Sequence, residues 1–172
     1  FTRSQDRKAP HNSYITFANI EKGAEQNSFD LTGAPEPFSF LSEEKAERLA
    51  GDEVLSVRVS YGNSSDNTSY EYDEEAEKYK RFSDGEQTVD AEVQTPILLD
   101  NLLIIEAPHK VIDNEGRRNI DLTAGGNGYL LQKGKVNKIQ WVNKNGRIVP
   151  MIDGTEAGLI TGKTWVNVVP AD

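Results

Sequence analysis

The chain has 172 residues, and its 19 basic and 28 acidic side chains give a formal charge of -9. This excess of acid excludes nonspecific nucleic-acid binding, which needs a cationic surface to displace phosphate counterions. The chain has no apolar run long enough to cross a bilayer, and the absence of cysteine excludes disulfides, thiolate metal sites and a cysteine nucleophile.

The first quarter of the chain is predicted to be mostly irregular, with one or two short helices. Phe17 and Ile20 have helical spacing, which favours a helix over residues 16–22 that ends before Gly23. Residues 27–40 interleave glycine and prolines with aromatic anchors. This composition predicts an ordered linker, because proline and glycine break helices while the aromatic side chains can pack.

A second helix is predicted just after this linker. Ser42 can cap a helix N-terminus, and the two glutamates that follow it suit the helix dipole. We therefore expect a helix over residues 41–49, with Gly51 as its stop.

Beyond residue 52 the apolar period changes from about 3.6 to 2. Leu55, Val57 and Val59 alternate with polar residues, as in a strand with one face in water. Turn-forming residues separate eight such segments, over residues 55–61, 68–72, 78–82, 102–107, 129–132, 136–142, 148–152 and 164–169. The fold is therefore predicted to be mainly β, an antiparallel sandwich or partly open barrel of about eight short strands.

One segment partly matches a phosphate-binding loop. Gly162-Lys163-Thr164 ends like such a loop, but only three residues separate Gly162 from Gly158, where four are needed. The residues that follow alternate as a strand, whereas a phosphate-binding loop opens a helix. A hairpin turn is the favoured interpretation.

No metal site, cofactor or catalytic residue is predicted. His11 and His109 are the only histidines and lie far apart in the chain. Acidic residues are dense over 71–92, where a solvated hairpin face is favoured over calcium binding.

The large aromatic residues of the β region lie at the apolar phase of their strands. This position favours a role in the core over an exposed platform for a glycan or peptide. The prediction covers Tyr70, Tyr72, Tyr79, Phe82, Trp141 and Trp165.

Several motifs occur in the order of a known family. Arg7-Lys8-Ala9-Pro10-His11-Asn12, followed by Tyr14, resembles the motif that closes the N-terminal domain in the YerB-type lipoproteins of Gram-positive bacteria, a family of unknown function. Landmarks of that family's C-terminal domain follow at Tyr72-Asp73, Tyr79-Lys80-Arg81, Gly85, Asp90, Asn101, Gly162-Lys163-Thr164-Trp165-Val166 and Pro170. The resemblance covers most of residues 1–170.

The resemblance implies a domain organisation and a location. Residues 1–26 would be the remnant of an upstream N-terminal domain, residues 27–52 a linker with a short helix, and residues 53–172 the C-terminal β domain. The whole protein would be a secreted precursor, lipid-anchored through a cysteine upstream of Phe1 on the outer face of the cytoplasmic membrane. That anchor would be its only contact with the membrane.

The resemblance leaves three functions open. The preferred one is a noncatalytic, extracytoplasmic binding or interaction module whose partner is an envelope ligand or protein. The second is a cell-envelope hydrolase whose active site lies mainly in the missing N-terminal domain. The third is a β module that only supports the first domain.

The candidate ligand-binding residues come from the family motifs. Arg7, His11 and Asn12 match the first motif and could line an interdomain cleft for an anionic or sugar-like ligand. The alternative is a knot of hydrogen bonds that ends the first domain. Arg81 and Asp90, from the later landmarks, complete the predicted set.

Overall fold

A computed structural model describes residues 2–9, 12–34, 36–61 and 68–171. These residues form two compact units, of which the first ends at Pro37 and the second begins at Phe38. The predicted roles of residues 1–26 as a domain remnant and of 27–52 as a linker stay predictions.

The described elements are two helices and sixteen strands, most of them short. The helices are α1 (Phe17–Gln26) and α2 (Glu43–Glu47). In chain order the strands are β1 (Thr2–Arg3), β2 (Ser13–Tyr14), β3 (Asp52–Glu53), β4 (Ser56–Val59), β5 (Thr68–Asp73), β6 (Lys78–Ser83), β7 (Glu86–Gln87), β8 (Leu98–Leu99), β9 (Asn101–Ala107), β10 (His109–Val111), β11 (Arg118–Ile120), β12 (Gly126–Gln132), β13 (Lys135–Lys144), β14 (Arg147–Ile152), β15 (Thr155–Glu156) and β16 (Thr164–Pro170). None of the described helices is long and apolar enough to cross a membrane.

The first unit contains the β1–β2 hairpin and helix α1. The predicted helix is present, and the Thr16 hydroxyl caps it by accepting a hydrogen bond from the Asn19 backbone N–H at 3.3 Å. The predicted end before Gly23 is wrong, because α1 continues to Gln26. An interior glycine costs a helix only about 1 kcal/mol, and the Asn27 side-chain amide donates to the Gly23 carbonyl at 2.8 Å, satisfying an acceptor of the last turn.

Helix α2 begins as predicted and ends earlier. The Ser42 hydroxyl accepts from the Lys45 backbone N–H, but the helix ends at Glu47 and not at Gly51. Gly51 has a φ of 142°, and a Cβ there would lie 2.8 Å from the Val136 carbonyl oxygen. Gly51 therefore allows the chain to approach β13 closely, and its role as a helix stop was a wrong prediction.

The second unit contains two larger sheets. The large sheet has the order β15-β14-β13-β12-β9-β16, with β3 beside β13, and the small sheet has the order β4-β5-β6-β7, with β8 beside β6. All eight predicted strands are present, and the mainly β sandwich class is confirmed. The other strands have two or three residues each, too few for an alternating pattern to reveal.

One strand pair departs from the antiparallel prediction. Strand β16 runs parallel to β9, with Trp165 opposite Leu102 and Asn167 opposite Ile104. The short turns in the sequence predict antiparallel neighbours. They carry no information on which distant strand takes the free edge of β9.

Strand β9 separates two cores. Leu102 and Ile104 pack against the small sheet, whereas Leu103 and Ile105 pack on the opposite face of the large sheet. All four are buried, as the continuous apolar run predicts. Burial of each such side chain stabilises the fold by about 1.5–3 kcal/mol.

The aromatic side chains are mostly structural. Tyr70, Tyr79 and Trp141 are each at most 1% exposed, so the core prediction is confirmed for them. Tyr72 and Trp165 are half-buried and pack against the same core as Tyr70. The aromatic rings therefore help to join the two sheets.

Candidate ligand-binding site between the two sheets

A half-open cavity of about 300 Å³ lies between β4 of the small sheet and the facing surface of the large sheet. Most of the side chains around it are aliphatic. The described residues that line it are Val54, Val57, Arg58, Val59, Ser60, Ile104, Tyr129, Leu131, Val136 and Val169. We call this space the intersheet cavity.

The cavity follows from the register of the strands. On the face toward the small sheet, Leu131 lies opposite Val136, and the next facing pair is Tyr129 and Lys138. Leu131 is 1% exposed, whereas Tyr129 is 37% exposed. The small sheet therefore stops covering the large one between these two pairs, and the cavity opens at that border.

Three polar residues, Arg58, Ser60 and Tyr129, are among the described residues that line the cavity. Arg58, on edge strand β4, is exposed and alternates with the core residues Val57 and Val59, so its side chain lies on the opposite face of that strand, whereas Tyr129 shares the cavity face of β12 with Leu131. Within the described part of the chain, neither the Arg58 nor the Tyr129 side chain has an ion pair or a hydrogen bond. Among the described residues that line the cavity, Arg58 is the only charged one, in a chain with nine more acidic than basic residues.

Asn167 is a buried polar residue in the adjoining wall. It lies on β16 opposite Ile104 and is 2% exposed. Its Oδ1 accepts hydrogen bonds from the hydroxyls of Tyr61, at 2.7 Å, and Tyr70, at 2.8 Å. Burial raises the pKa of Tyr70, and the hydrogen bond to Asn167 opposes that effect.

The amide nitrogen of Asn167 is unusual. This Nδ2 atom is buried and has no hydrogen-bond partner among the described residues. Asn167 was not predicted as a site residue, although the sequence carries one signal for it. Asn167 shares the inward phase of β16 with Trp165 and Val169, and a polar residue at an apolar phase marks a buried polar group.

A second cluster holds the start of β9 to the start of β16, and we call it the polar knot. Asp100 forms an ion pair with Lys78 and accepts a hydrogen bond from the Lys163 backbone N–H at 2.7 Å. Gly162 has a φ of 143°, and a Cβ at this position would clash with the Asp100 carboxylate. Gly162-Lys163-Thr164 leads into strand β16, as the alternating residues predict. The predicted hairpin turn is wrong, because β16 pairs with β9 and not with the preceding strand β15.

Asn101 completes the polar knot. Its Oδ1 accepts from Gln132 Nε2 at 2.7 Å and from the Ile160 backbone N–H at 2.8 Å. Its Nδ2 donates to the Ile160 carbonyl at 2.9 Å and to the Thr164 hydroxyl at 3.1 Å. Asn101 is fully buried, and these four hydrogen bonds give both its side-chain oxygen and its side-chain nitrogen protein partners.

The comparisons with known proteins agree with this order of landmarks. The family model described as "Protein of unknown function (DUF3048) C-terminal domain" matches residues 57–166. The chain belongs to the DUF3048 family. The YerB-type resemblance is therefore confirmed.

One relative and its structure extend the DUF3048 match across the chain. "Putative lipoprotein YerB" of Bacillus subtilis (strain 168) is 42% identical over 172 residues, which are 99% of this chain and 51% of the relative. The crystal structure of YerB protein from Bacillus subtilis has a TM-score of 0.82 at 42% identity, over 99% of this chain and 57% of that chain. The chain therefore spans about half the length of the relative it matches.

The landmark Arg81 is held inside the second unit. Its Cζ lies 4.7 Å from the centroid of the Trp165 ring, and its Nη1 donates to the Thr88 hydroxyl at 2.7 Å. Its Nε is buried and lacks a hydrogen-bond partner in the described part of the chain. These contacts join the small sheet to β16, and the ligand-binding role of Arg81 stays a prediction.

Asp90 closes a turn of the small-sheet region. Its Oδ1 accepts from the backbone N–H groups of Val93, at 3.1 Å, and Glu92, at 2.8 Å. These bonds lower the pKa of Asp90, and the charge of Lys163 lowers it further. The predicted ligand-binding role of Asp90 also remains untested.

The other predicted site residues belong to the first unit. The Asn12 Oδ1 accepts from Arg3 Nη1 at 2.9 Å, and its Nδ2 donates to the Ser4 carbonyl at 3.2 Å. Arg7 and Asn12 both line a depression of about 300 Å³ in this unit. His11 lies outside the described residues, so a site formed by all three stays a prediction.

Proposed function

We propose that this chain is the noncatalytic ligand-binding part of an extracytoplasmic lipoprotein, and that the ligand occupies the intersheet cavity. The cavity itself carries the proposal, because it is an apolar space of about 300 Å³ at the junction of two sheets. This volume is at the lower end of the range for small-molecule sites, about 300–1,000 Å³.

The composition of the lining supports a ligand. Five of the residues around the cavity are valines, where larger aliphatic side chains would fill more of the space. Apolar surface that faces an opening forfeits part of the hydrophobic stabilisation that burial provides. An apolar ligand would recover it.

The same lining favours binding over catalysis. Histidine, aspartate and glutamate are absent from the described residues that line the cavity. These side chains supply most general acid–base chemistry. A site with a single arginine and aliphatic walls is better suited to hold a molecule than to change it.

A titration with 1-octanol tests the proposed site. We expect amide NMR shifts concentrated at the cavity residues of β4, β9 and β13 in the 172-residue protein. Val169→Phe should weaken binding about tenfold or more by filling the cavity. Val166→Phe is the matched control, because Val166 is on the same strand but is 40% exposed and does not line the cavity.

Two outcomes would contradict the proposed site. One is the absence of octanol binding by a folded protein, and the other is an equal loss of affinity in both phenylalanine variants. Thermal unfolding of each variant, measured alongside, separates a filled cavity from a damaged fold.

The length of the relative favours a second candidate function. The chain covers 51% of YerB, so an active site could lie in the other half of a full-length homologue. This alternative is a cell-envelope hydrolase. Incubating full-length protein with purified cell walls and measuring released fragments tests it, and turnover above a heat-inactivated control would replace the noncatalytic proposal.

The proposed location depends on the name of the relative. YerB is named a lipoprotein, and we propose that the full-length form of this protein is likewise anchored by a lipid on the outer face of the cytoplasmic membrane. Detergent-phase partitioning of full-length protein tests the anchor. Recovery of the protein entirely in the aqueous phase would contradict it.

A further inference from the structure

We propose that the ligand of the intersheet cavity is an uncharged amphiphile of the alkyl glycoside type, with its alkyl tail in the cavity and its hydroxyl-rich head on the adjoining face of the large sheet. The inference rests on the proposed function and names the chemical class of its ligand. The register of the large sheet places the two parts of this site side by side.

The face of the large sheet that lines the cavity continues beyond the small sheet. Lys138 lies opposite Tyr129, and two residues further along the same strands Gln140 lies opposite Asn127. Directly opposed side chains share a face of the sheet, and so do side chains two residues apart on one strand. Because Tyr129 lines the cavity, the other three lie on the cavity face, and all three are exposed.

These three side chains line a depression of about 310 Å³, which we call the polar depression. Strand β14 adds Met151, which lies opposite Gln140, and the turn after β14 adds Asp153. The depression adjoins the cavity, because Tyr129 lines one, Lys138 lines the other, and the two residues are directly opposed. The Cβ atoms of such a pair lie only about 4.5–5.5 Å apart.

The polar depression suits a head that carries several hydroxyl groups. In the part of the chain that the structure describes, neither the Asn127 nor the Gln140 side-chain amide has a hydrogen-bond partner. An amide offers both donors and an acceptor, as a sugar hydroxyl does, so two neighbouring amides can bind neighbouring hydroxyls. Exposed amides are ordinary on a sheet face, but these two lie beside an apolar cavity.

The charges around the polar depression favour an uncharged head. Lys138 and Asp153 both line it, and neither has an ion pair within the described residues. Because their charges are opposite, this surface does not select strongly for an anion or a cation. Arg58 does not change this balance, since its side chain lies on the face of β4 away from the cavity.

The dimensions of the two parts set the size of the ligand. An apolar cavity of about 150 Å³ holds one benzene molecule, and the intersheet cavity is about 300 Å³. An aliphatic tail of about eight carbons fits this space. On the polar face, two residues along a strand cover about 6.8 Å and neighbouring strands lie about 4.8 Å apart. The face between Tyr129, Asn127 and Met151 therefore accommodates one sugar ring.

Four probes titrated by calorimetry into the 172-residue protein test the inference: octyl glucoside below its micelle concentration, 1-octanol, octanoate and glucose. We expect octyl glucoside to bind about tenfold more tightly than 1-octanol, because its head adds hydrogen bonds to the same tail. Octanoate should bind no more tightly than 1-octanol, and glucose, which lacks the tail, should not bind measurably. In NMR spectra octyl glucoside, unlike 1-octanol, should also shift the backbone amides of Asn127, Gln140 and Met151.

Gln140→Ala is the decisive variant, because Gln140 lies between Asn127 and Met151 and is exposed, so its replacement leaves the core intact. It should reduce the advantage of octyl glucoside over 1-octanol from about tenfold to about threefold or less, and leave the affinity for 1-octanol unchanged. Asn119→Ala is the matched control, since Asn119 is also an exposed amide but lies on β11, outside the cavity and the polar depression. It should change neither affinity.

The outcomes distinguish this inference from the proposed function. If 1-octanol binds but octyl glucoside has no advantage, or keeps its full advantage in Gln140→Ala, the alkyl glycoside is wrong and the cavity site stands. If octanoate binds more tightly than octyl glucoside, the uncharged head is wrong and the inference is also overturned. If no probe with a tail binds the folded protein, both proposals fail.

Discussion

The two ends of β9 have very different surroundings. At its start, Asp100 and Asn101 are fully engaged in the polar knot, with charged and amide partners from β6, β12 and the segment before β16. In its second half, Ile104 borders the intersheet cavity, where aliphatic walls leave space unfilled. A single strand can therefore stabilise the fold at one end and line a candidate binding site at the other.

Two of the family landmarks meet at the first of these ends. Asn101 and the Gly162-Lys163-Thr164 segment meet in the polar knot, although more than sixty residues separate them along the chain. Hydrogen-bond geometry and backbone contact at the knot require particular residue types. The cavity requires only aliphatic side chains of limited size, so its residues leave no distinctive motif.

Gly162→Ala, in the polar knot, should destabilise the protein more than any other substitution proposed below. The added Cβ meets the Asp100 carboxylate at a φ of 143°, so we expect a loss of about 4 kcal/mol in the free energy of unfolding by urea. Gly154→Ala is the control, with a φ of 77° and open space around the new Cβ, and should cost about 1 kcal/mol. Equal losses would show that the carboxylate moves aside easily.

Asn101→Ala should be the next most destabilising change. It leaves the Gln132 amide and the polar backbone groups of Ile160 without their partner in a buried place, at a cost of about 3 kcal/mol. Asn127→Ala, at an exposed position on β12, should change stability by less than about 0.5 kcal/mol. Urea unfolding measures both, and a small loss for Asn101 would contradict the structural role of the knot.

Tyr79→Phe should have a moderate effect that depends on pH. The Tyr79 hydroxyl accepts from the Gly134 backbone N–H at 3.0 Å, so its removal should cost about 1 kcal/mol at neutral pH. Burial raises the pKa of Tyr79 above its ordinary value of 10. The unfolded chain then loses this proton first, and stability falls as the pH rises from 10 toward the folded-state pKa.

The phenylalanine variant lacks this titration, so the unfolding free energies of the two proteins should converge above pH 10. Unfolding by urea at a series of alkaline pH values measures the convergence. Parallel curves would show that Tyr79 ionises equally in both states. Tyr129→Phe is the exposed control and should lose less than about 0.5 kcal/mol at neutral pH.

The smallest effect should come from adding one methylene at each of two valines. Val59 lines the cavity, so Val59→Ile has room and should stabilise the protein by about 0.5 kcal/mol while weakening 1-octanol binding. Val149 is fully buried away from the cavity, and Val149→Ile should cost about 1 kcal/mol. Thermal unfolding of both variants gives the comparison, and the same sign for both would contradict it.

The sequence predicted local structure well where the signal lies within a few residues. The Ser42 cap and the alternating segments are examples, because hydrogen bonds and side-chain direction repeat over short distances. The predicted end of α1 was wrong, because the sequence pattern treated Gly23 as a helix stop and did not include the hydrogen bond from the Asn27 side chain. The predicted role of Gly51 as a helix stop was wrong, because the residue it approaches closely, Val136, is distant in the chain.

The candidate site was much less accessible to prediction. Arg81 and Asp90 were selected from family landmarks, whereas Arg58, Tyr129 and Asn167 were not selected at all. The first two of these three are ordinary strand residues in the sequence. They line the same cavity only because β4 and β12, from different sheets, lie close together.

By itself the sequence determined the mainly β class, the positions of the eight longer strands and the family of the protein. These features follow from side-chain alternation and from motif order, which are properties of the chain alone. Tertiary structure alone decided the parallel pairing of β16 with β9, the polar knot and the intersheet cavity. Each depends on which distant segments come into contact, and that is set by the packing of whole sheets.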